Sequence, residues 1–395
     1  MVRKSSLRSV AAASLVFGLA CCLFASCAKE ERSDEPSGDT RDLLEKFRSV
    51  PYTNVMEEKT DGEPSGVTIH VPGKAWPGYN LHCLRTESAA ALLDMDGKEV
   101  HRWSVDEGFK RGWPYGVVLA NGDLITFRED REILRLDWDS NLIWRVNVGA
   151  HHEIWPLPDG SFYALLRRTR RHRGVPIRIS DITRFSGDGE IVDRWSSYEH
   201  LDHIKQNLDT RSFFDTFLDS LEAIGIDIAE MDTLPDALHR TRAAGQRVYV
   251  YFHMNTISVL PDTPTGQKDR RFRAGNILTC FRNVNQVAVL DKDTKEILWA
   301  WGEGELEWPH HPTMLDNGNI LIFDNGVVRE SSRVIELNPV TETVEWQYSG
   351  DTPGEFYTRT RGSAQRLPNG NTLICEGNRG RCFEVTREGE IVWQW

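Results

Sequence analysis

Trp308–Gly326 reads WPHHPTMLDNGNILIFDNG: a short apolar strand, a tight turn and a second apolar strand. The turn is Asp316-Asn317-Gly318, where Asn-Gly supplies the positive φ that a hairpin needs. Two adjacent histidines, His310 and His311, stand at the start of the first strand. The same frame recurs as VVLANGDLITF (Val117–Phe127), WPLPDGSFYALL (Trp155–Leu166) and QRLPNGNTLIC (Gln365–Cys375). A stretched copy, ISVLPDTPTGQKDRRFRAGNILTCF (Ile257–Phe281), carries a polar insertion in its turn.

A second submotif, a turn followed by a strand ending in aromatics, alternates with the first. Its copies include MDGKEVHRW, DWDSNLIWRV, SGDGEIVDRW, DKDTKEILWAW, NPVTETVEWQY and TREGEIVWQW, ending at residues 103, 146, 195, 301, 348 and 395. The steps are 43, 49, 106, 47 and 47, so four equal about one period and the third contains extra chain. Four short strands in a period of this length are the signature of a propeller blade. One blade cannot bury both its faces alone, so the repeats must stack radially. The expected fold is therefore all-β, a six-bladed β-propeller over residues 66–395. Whether the first blade is complete in itself, or its leading segment adds a strand to the last blade, stays open at this point. The extra chain, about 198–249, falls between blades 3 and 4. Phe213, Phe214, Phe217, Leu218, Leu221 and Ile224 recur at helical offsets there, and Asp232–Ala244 reads as a second, shorter helix. A helical insertion of this kind is expected to act as a packing collar or a lid.

The net charge of -12 argues against a nucleic-acid partner. One run, Arg167–Arg173, is basic, and reads as a solvated loop or an anion-attracting rim. Residues 1–27 resemble a lipoprotein-type signal peptide, with Arg3, Lys4 and Arg8 ahead of an apolar run that ends in Phe24-Ala25-Ser26-Cys27. Cys27 is the expected lipidation site, which implies a periplasm-facing protein held at the membrane through a lipid anchor only. Residues 28–65 have the composition of a flexible tether. Cys375 and Cys382 flank Gly377–Gly380, a spacing that lets them face each other across a hairpin. No Cys/His spacing suggests a structural metal site, and no cofactor is expected.

The repeat serves as a ruler. Five residues before the anchoring Leu119, Leu157, Leu315 and Leu367 stand Pro114, His152, His310 and Gly362. In the stretched copy the position is Asn255, with His253 two residues earlier on the same strand face. The first strand of a propeller blade lines the central channel, so His152, His253, Asn255 and His310 should converge at one mouth. Their neighbours His151, His311 and Ser363 should lie nearby, and Arg282 could reach the same place to hold a tetrahedral anion with its planar fork of donors. Imidazoles can serve as nucleophile and acid–base, or as ligands for a transition metal. The ring could equally bind a ligand or another envelope protein without catalysis. Nearby acidic candidates are few: Glu153 and Asp324.

These elements, in order, resemble the bacterial arylsulfotransferase family that works without 3′-phosphoadenosine 5′-phosphosulfate. The resemblance rests on GKAWPGYNLHC, AHHEIWPLPDG, FHMNTISVLPD, CFRNVNQVAVLD, HHPTMLDNGNILIFDNG and the C-terminal GSAQRLPNGNTLICEGNRGRCFEVTREGEIVWQW. It implies an exported six-bladed propeller that moves a sulfuryl group from an aryl sulfate to a phenol through a sulfohistidine. His310 matches the family's nucleophile; His152, His253, Asn255 and Arg282 match its supporting positions. The resemblance implies that Arg282 and Asn255 neutralise the sulfuryl oxygens and that His253 or His152 handles the proton of the phenol. The family usually has a carboxylate after the nucleophile, whereas here His311-Pro312 follows. Which of His310 and His311 attacks is open on the sequence.

Overall fold

Gly318 and Gly370 adopt φ of 86° and 89° at the tips of two of the Asn-Gly hairpins, and such hairpins are repeated around a six-bladed ring. The computed structural model describes residues 66–106, 112–208, 215, 218–219, 240–243, 246–352 and 354–395. Blades 2 to 6 each run outward from the channel as an antiparallel four-stranded meander. Blade 5, for example, is built from His310–Met314, Ile320–Asp324, Arg333–Asn338 and Thr343–Tyr348.

Two departures from the repeat settle how the ring closes. Among the described residues, blade 1 has three strands, Asn80–Leu84, Ala89–Leu93 and Glu99–Ser104, with no assigned innermost strand. Blade 6 has a fifth, because Ile69–His70 pairs antiparallel with Trp393–Gln394 at its outer edge. The leading segment thus joins the last blade, and Trp393 also donates its indole N–H to the carbonyl of Met95, 2.8 Å away. The strand supplies hydrogen-bond partners to an edge that would otherwise be exposed.

The core lies between blades. Ile125, Phe127 and Ile133 of blade 2 pack on Ala150, Phe162 and Phe185 of blade 3, and Leu278, Val287 and Val289 of blade 4 pack on Ile320, Ile322 and Ile335 of blade 5. The aromatic outer-strand motif explains itself here: Trp103 and Trp393 are fully buried. Truncating such an indole typically costs about 3–5 kcal/mol, which ties each outer strand to its neighbour.

Blade 3 departs most from expectation. The basic run expected to form a loop instead completes an eleven-residue strand, Phe162–His172, paired along its whole length with Val175–Phe185. Arg167 is buried in it and donates to Asp130 and Glu129, at 2.8 and 3.0 Å. Carboxylates from blade 2 therefore neutralise a charge that the sequence alone left solvated. This hairpin overhangs the blade: Ile191–Ser196 pairs only with Asp181–Phe185, leaving the earlier half of Val175–Phe185 with a bare edge. Gln246–Val250 fills part of that edge, pairing in parallel at Ile177 and Arg178, and Arg240–Ala243 pairs with it in turn. The end of the segment read as a second helix, Asp232–Ala244, is thus a strand. Its reason is the unsatisfied sheet edge, a tertiary demand that overrides local pattern. Of the helical insertion, Leu201–Asn207 is a helix and most of the remainder lies outside the described residues. Residues 1–27, with Cys27, and the tether 28–65 lie outside them too.

Candidate active site

The innermost strands of blades 3, 4 and 5 share an irregularity at the channel mouth. Pairing slips between Ile154 and His151, between Ile257 and Met254, and between Thr313 and His310. His152, His253 and His311 take positive φ, at 62°, 54° and 48°. A left-handed residue at a bulge turns side chains away from simple alternation and re-aims them. Blade 6 carries Gly362 at the position of His152 and His310, with φ of 109°, and a Cβ there would lie 2.5 Å from the Phe323 ring of blade 5.

His310 opens the inner strand of blade 5 and is buried. Its Nδ1 lies 2.9 Å from the Trp308 carbonyl and 2.6 Å from Asn325 Oδ1. The amide of Asn325 is fixed in turn, since its Nδ2 donates to the carbonyls of Thr358 and Arg361, at 2.6 and 2.7 Å. Both neighbours of Nδ1 are therefore acceptors, so Nδ1 carries the proton and Nε2 presents its lone pair. Burial, with the nearby Arg282 charge second, pushes the His310 pKa down to about 3. The ring is neutral at physiological pH.

Arg282 is fully buried beside this group. Its guanidinium sits 4.4 Å from the centre of the Trp308 ring and donates from Nη2 and Nε to Asn283 Oδ1, at 3.0 and 3.2 Å. Asn283 is anchored by donating to the carbonyls of Val250 and Tyr251. The cation–π contact and the fork hold the charge in one orientation. His253 Nε2 and His152 Nε2 face each other at 3.2 Å. Burial depresses the basicity of both, and Arg282 contributes to each. The structure thus gathers His310, His253, His152 and Arg282 as one electrostatically coupled group.

The remaining candidates have different surroundings. Asn255 donates from Nδ2 to the Pro309 carbonyl, 2.9 Å away, and so fixes the chain just ahead of His310. Ser363 lies against the Cys375 thiol, as its place opposite Cys375 in the blade 6 hairpin dictates. Cys375 in turn faces Cys382 across the hairpin, as free thiols. His311 points elsewhere than His310. Its Nε2 lies 3.3 Å from Glu153 Oε1 and its Nδ1 lies 3.2 Å from the Ala364 carbonyl. Glu153 also accepts the Ile257 N–H at 2.9 Å, and burial raises its pKa, with the His311 charge opposing. Glu153 follows His152 and His311 follows His310, so this pair fixes the spacing of two ring histidines across blade 4. Asp324 is buried in ion pairs with Arg329 and Arg333. Among the described residues, no group of three or more His, Cys, Asp or Glu is placed to hold a metal ion.

Sequence reasoning missed Asn325, Trp308 and Asn283. Asn325 stands in Asp324-Asn325-Gly326, where Asn-Gly reads as turn chemistry and hides a hydrogen-bonding role. Asn283 had no signal beyond following Arg282.

The model of a family described as Arylsulfotransferase (ASST) matches residues 116–395. No curated protein matches the chain. Among solved structures, a protein of unknown function from Bacteroides caccae is 14% identical with a TM-score of 0.48, over 81% of this chain and 93% of that one. A catalytically inactive virginiamycin B lyase from Staphylococcus aureus with quinupristin is 9% identical (TM-score 0.44, 82% and 85%). The β-propeller domain of Cps50 (Swd1) from Myceliophteria thermophila is 10% identical (TM-score 0.44, 84% and 89%).

Proposed function

The chain belongs to the arylsulfotransferase family, and on that premise we propose that it moves a sulfuryl group from an aryl sulfate to a phenol through a sulfohistidine on His310. The observation that carries this reading is the fixed tautomer. Asn325 and the Trp308 carbonyl hold the proton on Nδ1, so the lone pair of Nε2 is available without any base to remove a proton. In the first half reaction Nε2 attacks sulfur, the N–S bond forms, the S–O bond to the aryl group breaks, and the aryl oxide leaves with a proton from His253. In the second, a phenol gives its proton back to His253 while its oxygen attacks sulfur and the N–S bond breaks.

Arg282 supplies fixed positive charge where the sulfuryl oxygens gather density in both transition states. It needs no reorganisation, because Trp308 and Asn283 already hold it. Asn255, engaged with the Pro309 carbonyl, is read as a positioning residue for His310. His311, engaged with Glu153 and Ala364 through both ring nitrogens, is read as a positioning residue too.

A covalent intermediate has a kinetic fingerprint. With 4-nitrophenyl sulfate as donor and phenol as acceptor, double-reciprocal plots at several acceptor concentrations should be parallel. Lines intersecting to the left of the ordinate would mean direct transfer between two bound substrates and would overturn the sulfohistidine.

A further inference from the structure

Three imidazoles stand in series beside the ring. His253 Nε2 lies 3.2 Å from His152 Nε2, and the other nitrogen of His152, Nδ1, is within hydrogen-bond distance of His151 Nδ1. His152 therefore uses one nitrogen on each side. The remaining nitrogen of His151, Nε2, is buried without a protein hydrogen-bond partner, on a residue only 1% exposed. All three imidazoles line a cavity of about 10 Å³ whose polar wall also includes Arg167, Arg178 and Ser180. That volume admits about one water molecule, and a polar wall with an unsatisfied buried nitrogen is where internal waters are held.

We propose that His253, His152 and His151 form a proton relay ending on one internal water, and that the relay charges His253 for sulfuryl transfer. The relay rests on the function proposed above and supplies the proton that it requires. The resting order puts the imidazole protons on His253 Nδ1, His152 Nε2 and His151 Nδ1. His152 then donates to His253, His151 donates to His152, and His151 Nε2 accepts from the water. When an anionic donor binds, a proton from solvent passes through the water to His151 Nε2. The Nδ1 proton of His151 moves to His152 Nδ1, and the Nε2 proton of His152 moves to His253 Nε2. His253 now carries protons on both nitrogens and gives one to the leaving aryl oxide. The acceptor phenol later returns a proton to His253, and the sequence reverses. Every nitrogen ends with the protons it began with.

The surroundings suit a resting state without charge. Burial holds all three imidazoles well below their ordinary pKa. The facing charges act the same way: Arg167 and Arg178 on His151, Arg167, Arg282 and Arg85 on His152, and Arg282 and Arg167 on His253, with His310 close to the last two. A bound sulfate ester offsets the Arg282 charge, which is second to burial among the causes that hold His253 low.

Leaving-group dependence separates this relay from a packing role. Phenyl sulfate releases a more basic oxide than 4-nitrophenyl sulfate and needs the proton more. In His151→Gln the ratio of kcat/KM for phenyl sulfate to that for 4-nitrophenyl sulfate should fall about tenfold. Ser180→Val keeps all three imidazoles and fills the cavity, with a side chain suited to a strand. It should lower the same ratio by a similar factor. An unchanged ratio in Ser180→Val, while 4-nitrophenyl sulfate still sulfates the protein, would overturn the relay and leave the sulfohistidine standing. Failure of wild-type protein to take up a sulfuryl group would overturn both.

Discussion

His310→Asn should lower kcat with 4-nitrophenyl sulfate and phenol by about 10⁴-fold or more, the loss expected when a nucleophile acting as part of a unit is removed. Asparagine is the informative replacement, because an amide can still donate to Asn325 Oδ1 and keep the local network. The fold should survive, and circular dichroism with a melting curve checks that it does. The pH dependence of acceptor-free sulfation carries the same signature. Protonation of Nε2 blocks attack, and the His310 pKa is held down to about 3 by burial and Arg282. The competent neutral form is thus fully populated above about pH 4, so no loss should appear near the ordinary histidine value of about 6.5 as pH falls from 8 to 5. A rate that halves near pH 6.5 would mean that His310 is not the group being titrated.

Arg282→Lys should reduce kcat by about 10²–10³-fold with a smaller change in KM. Lysine keeps the charge but loses the planar fork and the stacking on Trp308, which set where the charge points. Arg282→Met should cost at least as much and add a second effect. Arg282 is one of the causes that depress His310 and His253; removing its charge raises both basicities, so the acid limb of the rate profile moves to higher pH. Steady-state kinetics on the two variants between pH 3 and 8 would reveal this. An Arg282→Lys enzyme within a factor of a few of wild type would remove Arg282 from transition-state stabilisation.

The propeller was legible because its physics is repeated. Each Asn-Gly or Asp-Gly turn demands the same positive φ, and each outer strand presents aromatics such as Trp103 and Trp393 to the space between blades. Any one copy would have been weak; their spacing was not. The ruler also brought His152, His253 and His310 to one neighbourhood without knowledge of their contacts. What it could not read were the demands made by other parts of the chain. Strand Gln246–Val250 exists because an overhanging hairpin leaves an edge to fill. Arg167 is buried because Asp130 and Glu129 wait in the neighbouring blade. The bulges that redirect His152 and His311 have no marker in the sequence, since histidine tolerates positive φ without the glycine that would announce it. Asn255 was read as a ligand for substrate, and one contact that the sequence did not show is its donation to the Pro309 carbonyl. Ser363 kept to strict strand alternation and so faces a cysteine.

At the pair His310-His311 the sequence left two nucleophiles open, and the proposal of His310 rests on how differently the two rings are engaged. Both nitrogens of His311 face acceptors, Glu153 and the Ala364 carbonyl, whereas only Nδ1 of His310 is taken up, by Trp308 and Asn325. Glu153 thereby supplies, from blade 3, a carboxylate that the chain lacks after His310. The most direct measurement is to incubate the protein with 4-nitrophenyl ³⁵S-sulfate without acceptor, digest it under neutral conditions and locate the label by mass spectrometry. The account predicts about one sulfuryl group per chain, on His310, released by added phenol. A label on His311, or a wild-type protein that takes up none, would contradict it.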